Sequence, residues 1–218
     1  MSLFILMYIV PVNNQSCLIL KYDKRSEGFT YLIYPGLFTV HTNKDTDTNT
    51  DTNTNTDVLG RNVCCSRFFG GMEFAAVANG APAEAASLAC VADLVKRGTL
   101  AVPSFTMTSG PVPASLGKGY VKGPAAESAE ERASLAALYC AQMVSEQLDA
   151  ITSKDEIIVD GPFSQNPVLL AVLAALRPAQ KVKASALRDG TTAGAAALAM
   201  IDGGRLPSIG IRMAQVTA

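Results

Sequence analysis

Apolar positions in this chain fall into short runs and helical stripes separated by polar or Gly/Pro-containing stretches, the pattern of an α/β protein. Residues 3–12 form an apolar run of ten, which predicts a buried strand. From Leu18 to Val40 apolar and polar residues alternate loosely, and Tyr31, Ile33 and Tyr34 precede Pro35-Gly36, predicting a hairpin of two strands. Phe74, Val77 and Ala78, then Ala85, Leu88, Ala89, Val91, Ala92 and Leu94, recur at helical spacing and predict helices interrupted at Gly80-Ala81-Pro82. Leu100-Ala101-Val102 reads as a short buried strand, and residues 103–123, rich in Pro, Ser, Thr and Gly, as a long loop. Ser128 followed by Glu131 is a capping-box pair, and Ala133, Leu135, Leu138, Tyr139, Ala141, Met143, Val144 and Leu148 carry the helix to about Ile151.

Residues 42–57 alternate Thr with Asn and Asp and hold no apolar side chain to offset the cost of ordering the backbone, so a mobile surface loop is expected. Calcium binding of the EF-hand kind is excluded, because the glycine at the sixth position and the closing glutamate of that loop are absent.

The most informative stretch is Ile157-Ile158-Val159-Asp160-Gly161-Pro162-Phe163-Ser164-Gln165-Asn166-Pro167, followed by the apolar segment 168–176. It predicts a buried strand, a tight turn at Gly161 and a helix. That geometry gathers backbone N–H groups and a short polar side chain where a nucleotide can sit. Glycine lets backbone approach a ligand without a Cβ in the way, and Asn166 offers both a donor and an acceptor. The alternative is an ordinary turn in which Asn166 caps the helix and Pro167 takes its first position.

The chain continues through Arg177-Pro178 and Lys181-Val182-Lys183 to Asp189-Gly190-Thr191-Thr192-Ala193-Gly194-Ala195-Ala196. This order resembles the C-terminal half of the FGGY family of carbohydrate kinases, in which a strand, a Gly-Gly turn, an Asn-Pro helix start, a second strand and a Gly-Thr-Ala-x-Gly-Ala-Ala helix follow one another. Ser66-Arg67-Phe68-Phe69-Gly70-Gly71-Met72-Glu73-Phe74 is similar to a further segment of some members. Together the matching pieces cover roughly residues 57 to 200.

The resemblance implies a ribonuclease-H-like, actin-like ATPase domain, incomplete at its N-terminal side. It divides the chain into atypical N-terminal strands (1–41), the low-complexity loop (42–57) and a nucleotide-binding domain (58–218). It also implies ATP and Mg2+ as cofactors, with Gly161, Asn166, Gly70 and Gly71 as nucleotide-contacting residues. The sugar substrate and the catalytic aspartate belong to an N-terminal domain of the longer family members. No catalytic residue and no metal ligand is therefore assigned to this chain. Two departures stand out: Pro162 occupies the position of the family's second glycine, removing an N–H, and residues 1–56 hold no Gly-Thr phosphate-binding turn. A catalytically inactive remnant serving as an interaction module is the competing reading, and either reading allows self-association through an uncovered apolar face.

Length and composition agree with one sizeable α/β domain or two small ones: 218 residues, 49% of them hydrophobic. Eighteen basic against nineteen acidic residues leave a net charge of −1, which provides no footprint for nucleic acid. The run at 3–12 is too short for a membrane span of about 20 residues and lacks the features of a secretory signal. The cysteines at 17, 64, 65, 90 and 140 and the single His41 have no zinc-site spacing, and reduced thiols in a cytoplasmic protein are expected.

Several residues keep two roles open at this stage. Gly70-Gly71 either admits a nucleotide or packs the start of a helix. Glu73 and Arg67 either pair with one another or are exposed. Asp160 either holds water or metal or caps its turn. Gly190 and Gly194 are expected to serve close packing, with Thr191 as a helix cap.

Overall fold

In the computed structural model, the structure describes residues 6–12, 15–21, 33–34, 37–38, 52–56, 62–107, 112–187, 190–200 and 212–217. The first half supplies strands β1 (Leu6–Val12), β2 (Gln15–Lys21), β3 (Ile33–Tyr34), β4 (Leu37–Phe38), β5 (Thr52–Thr56) and β6 (Asn62–Phe68). Helices α1 (Gly70–Ala78) and α2 (Leu88–Lys96) come next, then strands β7 (Leu100–Val102) and β8 (Tyr120–Lys122) and the long helix α3 (Ala129–Ala150). The remainder is β9 (Ile157–Val159), α4 (Pro167–Leu176), β10 (Val182–Ser185), α5 (Gly190–Ala199) and β11 (Met213–Gln215).

Seven strands form one mixed sheet in the order β11-β10-β9-β2-β1-β6-β5. The β2–β9 and β9–β10 pairs are parallel, and the other neighbours are antiparallel. The parallel pairs need crossover connections, which α3 and α4 supply. The α/β class expected from the hydrophobic pattern is thus the class observed.

The run at 3–12 contains β1, and β3 and β4 pair antiparallel with Ile33 opposite Phe38, while Pro35-Gly36 lies outside the described residues. Two segments differ from expectation. Residues 52–56, inside the stretch read as a solvated loop, form β5 and pair with β6 from Thr52↔Ser66 to Thr56↔Asn62. Polarity alone does not forbid an edge strand: alternate β-branched threonines favour extended backbone, and the ladder is satisfied by the partner strand. The loop at 103–123 likewise contains, among its described residues, a 3-10 turn at Pro113–Ser115 and the strand β8, which pairs with β7. Backbone bonds from Gly119 N to Ser104 O (2.8 Å) and Gly117 N to Thr106 O (2.8 Å) carry that ribbon further.

The core is centred on α3, which packs against α1, α2 and α4. Leu135, Tyr139, Val144 and Leu148 on this helix are all but inaccessible to solvent. Burying each such side chain contributes about 1.5–3 kcal/mol, the main reason the helix is stable. They meet Phe68, Leu94, Ile157, Leu169 and Leu173 from the surrounding elements.

The start of α3 is fixed as its sequence predicts. Glu131 N donates to Ser128 Oγ (3.1 Å), and Glu131 Oε2 accepts from Ser128 N (3.0 Å) and Glu127 N (2.8 Å). Arg97 at the end of α2 adds an ion pair of 2.7 Å to the same carboxylate. The backbone N–H groups of Ser128 and Glu127, followed by Arg97, hold the Glu131 carboxyl down to about 2. A depressed folded-state value stabilises the native protein above the ordinary carboxyl range and loses that contribution as pH falls. Acid unfolding should accordingly show a component between pH 4.5 and about 2 that is absent in Glu131→Gln. Ser128→Ala should cost about 1 kcal/mol in urea denaturation; an unchanged midpoint would remove the capping box from the account.

Candidate nucleotide-binding edge

The strand directions determine where ligand-binding groups collect. β6, β9 and β10 run the same way, so their C-terminal ends share one edge of the sheet. Each is followed by a helix that begins at that edge: α1 at Gly70, α4 at Pro167 and α5 at Gly190. Crevices outside the carboxyl ends of strands are where open α/β sheets bind ligands, and helix N-termini offer unpaired N–H groups there. All four residues assigned from sequence, Gly70, Gly71, Gly161 and Asn166, lie along this edge.

The turn after β9 is a 3-10 helix spanning Gly161–Gln165. Gly161 has φ +73°, a left-handed conformation that a side chain would strain. Asn166 is buried, and its Oδ1 accepts from Leu169 N at 3.0 Å, capping α4, with Pro167 at the first helical position. The capping role is therefore present, and it consumes the amide oxygen. Gly71, Pro162 and Gln165 reach the surface of the edge, while Gly70 and Gly161 lie beneath it.

Gly70 is tightly enclosed. A Cβ there would sit 2.9 Å from Phe163 Cε2 and 3.1 Å from Phe68 Cε1, so α1 approaches the Gly161 turn through an aromatic contact. Phe74, one turn later, meets Phe163 at 6.2 Å between ring centroids. Asp160 does not cap its own turn. It is buried, and its Oδ2 accepts from Gly190 N at 3.1 Å, tying the start of α5 to the end of β9. A Cβ on Gly190 would lie 2.0 Å from that oxygen, so the glycine is required by the contact. Thr191 lies inside α5 and is not its cap.

The largest correction concerns Glu73. Its carboxylate is neither exposed nor engaged as a surface ion pair; it is 2% exposed and accepts four hydrogen bonds. Phe105 N (2.9 Å) and Tyr139 OH (2.7 Å) donate to Oε2, and Thr106 N (3.0 Å) and Thr106 Oγ1 (2.7 Å) donate to Oε1. The side chain of Arg67 lies outside the described residues. Burial, and then the charge of Glu73, pushes the Tyr139 phenol up, so it stays a donor. The same two causes push up the Cys140 thiol, whose Sγ lies 3.7 Å from Gly70 O. Helical periodicity marks Glu73 as lying one position from the apolar stripe and gives no sign of its partners, which come from residues 32 to 66 positions away.

The family model for the C-terminal domain of carbohydrate kinase FGGY matches residues 30–207. The chain belongs to the FGGY carbohydrate kinase family. Its fold resembles that of a carbohydrate kinase from Novosphingobium aromaticivorans, with TM-score 0.62 and 29% identity over 78% of this chain and 37% of that one. A xylulose kinase from Rhodospirillum rubrum superposes with TM-score 0.50 and 14% identity over 83% of this chain and 40% of that one. The fold is therefore the actin-like ATPase fold of FGGY kinases, and the chain spans less than half the length of either kinase. No curated protein matches the sequence. Among the described residues no helix is long and apolar enough to cross a membrane, and no group of three or more His, Cys, Asp or Glu is placed to hold a metal ion.

Three substitutions probe this architecture. Glu73→Ala strands the N–H groups of Phe105 and Thr106 and the Tyr139 hydroxyl; it should cost at least about 3 kcal/mol, against about 1 kcal/mol for Tyr139→Phe. Gly190→Ala forces Asp160 off the α5 terminus and should cost about 1–3 kcal/mol. Urea midpoints of the three variants measure both, and a Glu73→Ala protein as stable as the parent would show that the carboxylate is not the anchor its geometry makes it.

Proposed function

We propose that this chain is the nucleotide-binding half of an ATP-dependent carbohydrate kinase, with ATP lying along the edge formed by Gly70, Gly71, Gly161 and Asn166. The observation that carries the proposal is the convergence of three helix N-termini on the C-terminal ends of β6, β9 and β10 in a chain of the FGGY family. The edge suits a nucleotide: Gly71, which reaches the surface, adds no side chain there, and N–H groups at the helix starts favour its negative charge. When bound, ATP would supply the γ-phosphoryl group and Mg2+ would offset its negative charge.

The role of this chain is positioning. Asn166 orients the adenosine with the amide nitrogen that capping leaves available. The Gly161 turn, held against α1 by Phe163, shapes the wall, and Asp160 keeps α5 in register with it. The hydroxyl-activating group and the sugar-binding residues come from a complementary N-terminal domain. Met107, Tyr120 and Val121, exposed beside the β7–β8 ribbon, offer apolar surface for that domain or for a second copy of the chain. The free thiols of Cys90 and Cys140 agree with a cytoplasmic setting.

Titration calorimetry with Mg-ATP tests the assignment. The parent chain should bind, and Asn166→Ser, which keeps a capping oxygen but loses the amide, should bind about tenfold more weakly at nearly unchanged thermal stability. No heat at millimolar Mg-ATP from a folded protein would reject nucleotide binding and leave the interaction module as the function.

A further inference from the structure

A second cavity lies away from the nucleotide edge. It encloses about 500 Å3 between the C-terminal half of α3, Ser66 of β6 and the segment after β7. None of Gly70, Gly71, Gly161 or Asn166 lines it. Its volume is in the range of small-molecule sites, roughly 300–1,000 Å3. Ala101, Pro103, Val112, Tyr139, Met143 and Ala150 make its walls apolar. The Tyr139 hydroxyl is bound to Glu73, so the ring is what this residue can present.

The polar lining divides into satisfied and available groups. Gln147 is buried with both ends used: Oε1 accepts from Ser66 Oγ at 3.0 Å, and Nε2 donates to Met143 O at 3.0 Å. Asp149 pairs with Arg177 at 2.5 Å. Gln142 and Glu146 are one helical turn apart on α3, and neither has a hydrogen bond or ion pair with any described residue. Among the described residues no lysine, arginine or histidine lines the cavity, and with Asp149 paired to Arg177 its uncompensated charge is the carboxylate of Glu146. An apolar body bearing a phosphate is repelled there, and a polyol finds walls with few partners for its hydroxyls.

We infer that this cavity is a binding site for a small apolar molecule carrying one protonated amine. The hydrocarbon part fills the space between Met143, Val112 and Pro103, and the ammonium group meets the Glu146 carboxylate with Gln142 Oε1 as a second acceptor. The site is separate in residues and in charge preference from the nucleotide edge, so each can fail without the other.

Three probes of one shape test it: phenethylamine, 2-phenylethanol and phenylacetate, followed by ligand-observed NMR titration of the full chain. The amine should bind about two- to fivefold more tightly than the alcohol, the margin of an exposed ion pair, and phenylacetate should bind weakest. Glu146→Gln, at an exposed helix position, should fold normally and bring amine and alcohol to equal affinity. Ala150→Phe should fill the cavity and weaken both. Equal affinities of amine and alcohol in the parent chain, no binding of any probe, or an amine preference that survives Glu146→Gln would each overturn the inference. Repeating the titration with saturating Mg-ATP keeps the two sites apart: displacement of the amine by ATP would also overturn it.

Discussion

Burying a carboxylate is costly unless donors replace the water it loses, and Glu73 is retained in the interior because four donors from two separate segments converge on it. The same convergence makes it the joint of the domain. α1 supplies the acceptor, the segment after β7 supplies two backbone N–H groups and a hydroxyl, and α3 supplies the phenol of Tyr139. The edge-to-face contact of Phe105 with Tyr139, 5.5 Å between centroids, seals the joint with apolar surface.

The geometry of the candidate edge follows from that joint. Glu73 lies three residues into α1, so fixing it fixes the helix start at Gly70-Gly71. The position of Gly70 in turn sets how closely Phe163, and with it the Gly161 turn, can approach. On the other side Asp160 performs the equivalent task for α5 through Gly190 N. Two buried carboxylates thus hold the helix termini that line the edge, and neither need touch a ligand to matter for binding. At Glu73 both carboxylate oxygens are supplied with donors, and a polar group satisfied in this way rigidifies its surroundings, whereas an apolar contact alone would leave the helix free to slide.

Much of this arrangement was legible in local patterns. The Ser128–Glu131 capping box, the Asn166-Pro167 helix start, the break between α1 and α2 at Gly80-Ala81-Pro82 and the strand at residues 157–159 are consequences of residues close to one another in the chain. Local hydrogen bonding and the 3.6-residue period suffice to predict them. The ordered set of motifs was equally legible and pointed to the FGGY family, which the match over residues 30–207 bears out. Polarity misled at residues 52–56, because the hydrogen-bonding partner of an edge strand lies elsewhere in the chain and leaves no local signature.

The chain's own residues dictate which segments become helix or strand, where α3 and α4 start, and why Gly161 must be glycine, since backbone conformation and capping are settled by near neighbours. Tertiary structure alone decides that Glu73 is an internal anchor, that Asp160 holds α5 and not its own turn, that Gly70 and Gly190 are demanded by side chains from distant segments, and that Gln142 and Glu146 face a common cavity. Those roles depend on strand order and on contacts separated by tens of residues. Neither has any energy until the sheet has assembled and excluded water from the groups that then must find one another.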